Sequence, residues 1–174
     1  MKRITFLKNC CLSLAMALIS TVGFSQPPSP AATATGTVKG ANISIKYSSP
    51  SVKGRQIWGG LVPYDKVWRA GANSATILET DKDIKVEGKA LPAGKYSVYA
   101  IPGEKEWTII LNSQTGQWGI NRDGSTTEDP AKDVLRVTVK SKKSASLNER
   151  LVYTINDKGF VLSWENLDIP VSIK

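Results

Sequence analysis

From about Thr37 to the C-terminus, apolar and polar residues alternate with a period of two, and that pattern restricts the chain to β structure. Ile43, Ile45 and Tyr47 fall on one face, with Ser44 and Lys46 on the other. Trp107, Ile109 and Leu111 alternate with Thr108 and Asn112, and Leu135, Val137 and Val139 with Arg136, Thr138 and Lys140. Leu151, Tyr153 and Ile155 lead through Asp157-Lys158-Gly159 into Phe160, Leu162 and Trp164, the pattern of a hairpin closed by a Gly-containing loop. Ile169, Val171 and Ile173 read as a closing strand, and further strands are expected over residues 75–80, 83–86 and 95–101. Helical periodicity is weak, with at most a turn over residues 130–135. Eight to ten short strands separated by Gly and Pro turns predict an all-β fold: one antiparallel β-sandwich, jelly-roll or immunoglobulin-like, with one long structured loop.

The first 25 residues have the three parts of a secretory signal. Lys2, Arg3 and Lys8 give a positive start, and residues 10–24 are apolar except at Ser13, Ser20, Thr21 and Gly23. Gly23-Phe24-Ser25 places small residues where a signal peptidase reads, so cleavage near Ser25 and export to the periplasm or outer envelope are expected. The apolar run is shorter than the roughly 20 residues that span a bilayer, so no integral membrane segment is expected in the mature chain. Residues 26–36 (QPPSPAATATG) hold no large apolar side chain and read as a flexible leader, leaving residues 37–174 as one domain.

Processing would change the chemistry open to the chain. The sequence has no His, and Cys10 and Cys11 both lie in the signal. The mature chain therefore has no Ser-His-Asp or Cys-His nucleophile, no zinc or copper site of the usual ligand types, and no disulfide. No cofactor is expected. Losing Lys2, Arg3 and Lys8 leaves 20 basic against 15 acidic residues, so the net charge drops from +8 to +5. Export and the lack of any nucleic-acid motif argue against a nucleic-acid partner. The run Lys140-Ser141-Lys142-Lys143 reads as a solvated strand end or turn.

One stretch breaks the alternation. Residues 50–73 (PSVKGRQIWGGLVPYDKVWRAGAN) are longer than most loops and carry too much apolar surface, from Ile57 and Trp58 to Val67 and Trp68, to stay in water. This segment is expected to fold back onto the sandwich and to hold any site.

The runs at residues 53–59 (KGRQIWG), 61–64 (LVPY) and 67–73 (VWRAGAN) resemble the hallmark of a family of exported bacterial proteins catalogued as a domain of unknown function. Residues 91–102 (LPAGKYSVYAIP) resemble its second signature. The resemblance extends from about Gly40 to Lys174. It implies secretion, in bacteria with an outer membrane, and a mostly β domain; it brings no activity or ligand.

The long loop and its flanks hold Lys46, Lys53, Arg55, Lys66 and Arg69 against a single acid, Asp65. A guanidinium presents a planar fork of donors suited to carboxylate, phosphate or sulfate. Arg55 and Arg69, with Tyr64, Trp68 and Asn73 as lining, are the candidate site for a small anionic ligand. The alternative is that the arginines pair internally with Asp65 or Glu79. Trp107 and Trp164 fit inward strand faces, Trp58 and Trp68 are expected in the core, and Trp118 beside Gly116 and Gly119 is the one expected in solvent. Residues 121–129 are rich in oxygen ligands but have turn composition, and no metal is expected. The leading reading is a non-catalytic envelope binding module. A structural or protein-interaction component of the envelope is the second, and a hydrolase of an envelope polymer or glycan, working through paired carboxylates, is the third.

Overall fold

Strand pairing follows the alternation. The computed structural model describes residues 29–174, so the export signal read over residues 1–25 lies outside the described residues. Ten strands form: β1 Ala31–Val38, β2 Ala41–Ser48, β3 Thr76–Thr80, β4 Ile84–Val86, β5 Lys89–Leu91, β6 Gly94–Ile101, β7 Glu106–Asn112, β8 Asp133–Lys140, β9 Lys142–Asn156 and β10 Gly159–Ser172. Pro130–Lys132 makes one turn of 3₁₀ helix, where the Asp129 side chain accepts from the Ala131 N–H at 3.0 Å. Among the described residues, no helix is long and apolar enough to cross a membrane.

Six strands build one antiparallel sheet in the order β1-β2-β3-β6-β7-β8. The long β9–β10 hairpin forms the second layer, with β9 running against β1 and β10 against β8. The small β4–β5 hairpin is tied to the chain end where Val86 bridges Ile173. This is an all-β antiparallel sandwich, as the alternation predicts. Inward residues of the large sheet, such as Ile45, Val98 and Ile109, meet Leu151, Phe160 and Leu162 of the hairpin in one buried core. A second, smaller cluster of Ala75, Tyr99 and Ile110 lies apart from it, covered by Val67 and Ile101.

The N-terminal boundary differs from the sequence reading. Residues 31–36, expected in a flexible leader, belong to β1, which pairs with β2 from Ala31↔Ser48 to Val38↔Ala41. The reason is steric. A Cβ at Gly36 would stand 2.6 Å from Ile155 Cγ2, so β1 approaches β9 more closely than larger side chains would allow. The small inward residues Ala32, Ala34 and Gly36, which weaken the hydrophobic pattern of the strand, sit on its less exposed face. The 169–173 segment also differs: residues 169–172 end β10, which register shifts bend around Glu165, whose φ is 54°, and Ile173 bridges Val86. The lysine run read as a strand end or turn is the corner between β8 and β9.

Beside the 3₁₀ turn, Arg136 bonds two poorly exposed carboxylates, Glu128 and Asp133, each at 2.6 Å. Burial, then the nearby Asp133 charge, push the Glu128 carboxyl above its ordinary value, with Arg136 acting the other way. A carboxyl raised in the folded state holds its proton after the unfolded chain has lost it. Its stabilising contribution is therefore complete below about pH 4.5 and lost as the pH rises through the raised value. Glu128→Gln should gain melting temperature relative to the parent as the pH is raised from 4.5 to 7; a pH-independent difference contradicts this. Gly36→Val should cost about 1–3 kcal/mol by overpacking β1 against β9, measured by denaturant melting; an unchanged midpoint means β1 does not need that approach.

Candidate functional site

The 50–73 segment is fixed to both layers. The Val52 N–H donates to Glu149 O and the Leu151 N–H to Pro50 O, which ties its start to β9. Trp68 and Ala100 exchange backbone hydrogen bonds of 2.8 Å each, so Trp68 continues the β3 position along β6. Between these points the chain turns tightly: the Leu61 N–H donates to Gln56 O and the Val62 N–H to Ile57 O.

The key anchor follows Trp68. Ala70 is fully buried with a left-handed φ of 51°, a conformation that costs an L residue about 1 kcal/mol or more. Its carbonyl accepts from the Tyr153 hydroxyl at 2.8 Å and from Thr76 Oγ1 at 3.0 Å. Burial pushes the Tyr153 phenol far up, so it stays a donor throughout the working pH range. The Ala72 N–H then reaches Ser48 O. Arg69 thus projects from backbone held on either side by β6, β3 and β9.

Behind the loop, four indoles pack together. Trp58 stands edge-on to Trp107, Trp164 and Trp68 at 4.9, 5.6 and 5.9 Å, and Trp68 stacks on Trp164 at 6.0 Å with 18° between planes. Such pairs contribute about 0.5–1.5 kcal/mol each beyond area burial. Trp107 and Trp164 are buried on inward strand faces and Trp58 joins them, as expected; Trp68 is only half-buried.

A cleft of about 870 Å³ opens over this packing. One wall is the 50–72 segment, the other is residues 120 and 124–126, and Trp68 and Trp164 contribute to its lining. Arg55, Trp68 and Arg69 line it together; Tyr64 and Asn73 stand outside it. The Tyr64 ring packs over Gly59, and Asn73, at φ 57°, donates its amide to Ser29 O. Both serve the shape of the loop.

The two arginines differ. Arg55 is exposed and turns back on its own loop, donating from Nε to Val52 O at 3.0 Å and from Nη2 to Ser51 O. Arg69 is half-buried, with Nη1 3.3 Å from Trp118 O and its guanidinium carbon 5.9 Å from the centre of the Trp118 ring. Its stem lies against Gly119, where a Cβ would come within 2.7 Å of Arg69 Cβ. Burial lowers its pKa. Trp118 is exposed, at 55 %.

Neither guanidinium forms an ion pair among the described residues. The internal partners weighed from sequence do not reach them: Glu79 bonds Lys95 at 3.4 Å, and Asp65, the one carboxylate in the cleft lining, forms no ion pair among the described residues. Asp81 holds the Asn42 N–H and Nδ2, each at 2.7 Å. Among the described residues, no group of three or more His, Cys, Asp and Glu is placed to hold a metal. Nothing in the local pattern of residues 120–126 marks them as a cleft wall; only Gly124, at φ 86°, signals a turn there.

A family model described as "Protein of unknown function (DUF2911)" matches residues 29–173. The chain belongs to this family. No curated protein and no solved structure matches it. The matched region starts upstream of β1, in keeping with β1 as part of the DUF2911 domain. Replacing Tyr153 by Phe or Thr76 by Val should each cost about 1–2 kcal/mol, and the double variant more than the sum, because the buried Ala70 carbonyl then loses both donors. Denaturant melting of the four proteins measures this; strict additivity would mean the two donors act independently.

Proposed function

We propose that this DUF2911 protein is an exported, non-catalytic binding module of the bacterial envelope, released by cleavage near Ser25, and that it takes a small anionic ligand in the cleft beneath residues 50–73. The observation that carries this reading is Arg69: a half-buried guanidinium lining a cleft, with no carboxylate partner among the described residues. A partly desolvated charge without a counter-ion is unfavourable, and an anion entering the cleft relieves it. Lys53, Arg55 and Lys66 outnumber Asp65 there and bias the cleft further toward anions.

A concave, basic cleft at Arg69 supports binding over docking of a flat envelope partner. The hydrolase reading needs two carboxylates facing one another across a cleft, and Asp65 is the single one here.

Arg69→Gln is the direct test. In a thermal-shift screen of phosphate, sulfate, acetate and citrate, at least one anion should raise the melting temperature of the parent; an anion present at a hundredfold its Kd adds about 2.7 kcal/mol. The variant should lose that response while its own melting temperature falls only slightly. A large destabilisation, with no anion response in the parent, would make Arg69 a structural residue.

A further inference from the structure

Resting on that reading and naming its ligand class, we propose that the cleft takes a free organic acid with an apolar body, its anionic head at Arg69 and its body along the wall over the stacked Trp68 and Trp164. Three features carry it. The rim is cationic, but the walls are aliphatic: Leu61, Val62, Pro63 and Val67 on one side face Ile120 on the other. Leu61 is 48 % exposed although the 56–62 turn fixes its backbone, so it presents apolar surface to the cleft that nothing among the described residues covers. Trp68 and Trp164, stacked on one another, add aromatic surface to the lining.

A small hydrated anion such as phosphate would satisfy the guanidinium and leave the aliphatic walls in water. A neutral apolar molecule would cover the walls and leave the charge unmatched. A carboxylate carrying a chain or ring does both. Its size also fits, because 870 Å³ lies within the roughly 300–1,000 Å³ usual for small-molecule sites. Each methylene buried in such a cleft strengthens binding about fourfold, so two are enough for more than tenfold.

Calorimetric titration of the purified protein with octanoate, acetate, phosphate and 1-octanol tests this. Octanoate is expected to bind at least tenfold more tightly than acetate or 1-octanol. Arg69→Gln should weaken octanoate and acetate alike and leave 1-octanol unchanged. Leu61→Ser, at an exposed position with little effect on melting, should weaken octanoate severalfold and leave acetate unchanged. If acetate or phosphate binds as well as octanoate, the cleft serves plain anions: the organic-acid proposal falls and the anion-binding reading stands. If 1-octanol matches octanoate, the anionic head is not recognised and both fall. If no probe binds, both fall. Sedimentation with phosphatidylglycerol vesicles in the absence of any octanoate binding would mean that the basic rim meets a bilayer, and would overturn the free-acid assignment.

Discussion

The Ala70 carbonyl, clasped by the hydroxyls of Tyr153 and Thr76, is the point on which the arrangement of the cleft depends. Those donors come from different layers of the sandwich, β9 and β3, and both are buried. A buried carbonyl without partners costs about 1–3 kcal/mol, so the two bonds hold Ala70 in its left-handed turn against its own strain. The turn in turn sets where Trp68 enters the indole packing and where Arg69 leaves it. The anchor thus links a property of the fold, the spacing between two sheets, to the position of one charged group.

Aromatic packing fills the centre of this domain. With one Phe after residue 25, the chain relies on indoles for bulk at the centre of the core. Among the described residues, the Nε1 atoms of Trp58, Trp107 and Trp164 are buried without hydrogen-bond acceptors. Edge-to-face geometry presents ring edges to electron-rich ring faces, a weak interaction that offsets part of that desolvation.

Most strands were legible in the sequence because their inward residues are large. Trp107, Leu135 and Phe160 sit where period-two alternation places them, and the β9–β10 hairpin turns at Asp157-Lys158-Gly159 as its composition requires. β1 is hard to read for the opposite reason: its inward positions, Ala32, Ala34 and Gly36, are too small to give the strand a strong apolar stripe. Of the candidate residues, Arg55, Trp68 and Arg69 line the cleft, whereas Tyr64 and Asn73, whose chemistry would suit a ligand, do not. Their positions instead answer to loop geometry, with Asn73 in the left-handed region that its short amide tolerates. The 120–126 wall depends on a contact between residues some fifty positions apart, Arg69 and Trp118, and local patterning carries no information about that.

The cleft has an unequal division between its parts. Trp164 and, in part, Trp68 belong at once to the hydrophobic centre of the domain and to the cleft lining, so neither can be altered without disturbing the sandwich itself. Leu61, Lys53 and the 124–126 turn bear little of that burden. Substitutions that reshape the cleft without disturbing the sandwich are consequently confined to its upper edge, while the indole base is fixed with the core. The chemistry of the cleft surface can therefore change long before the shape of the domain does.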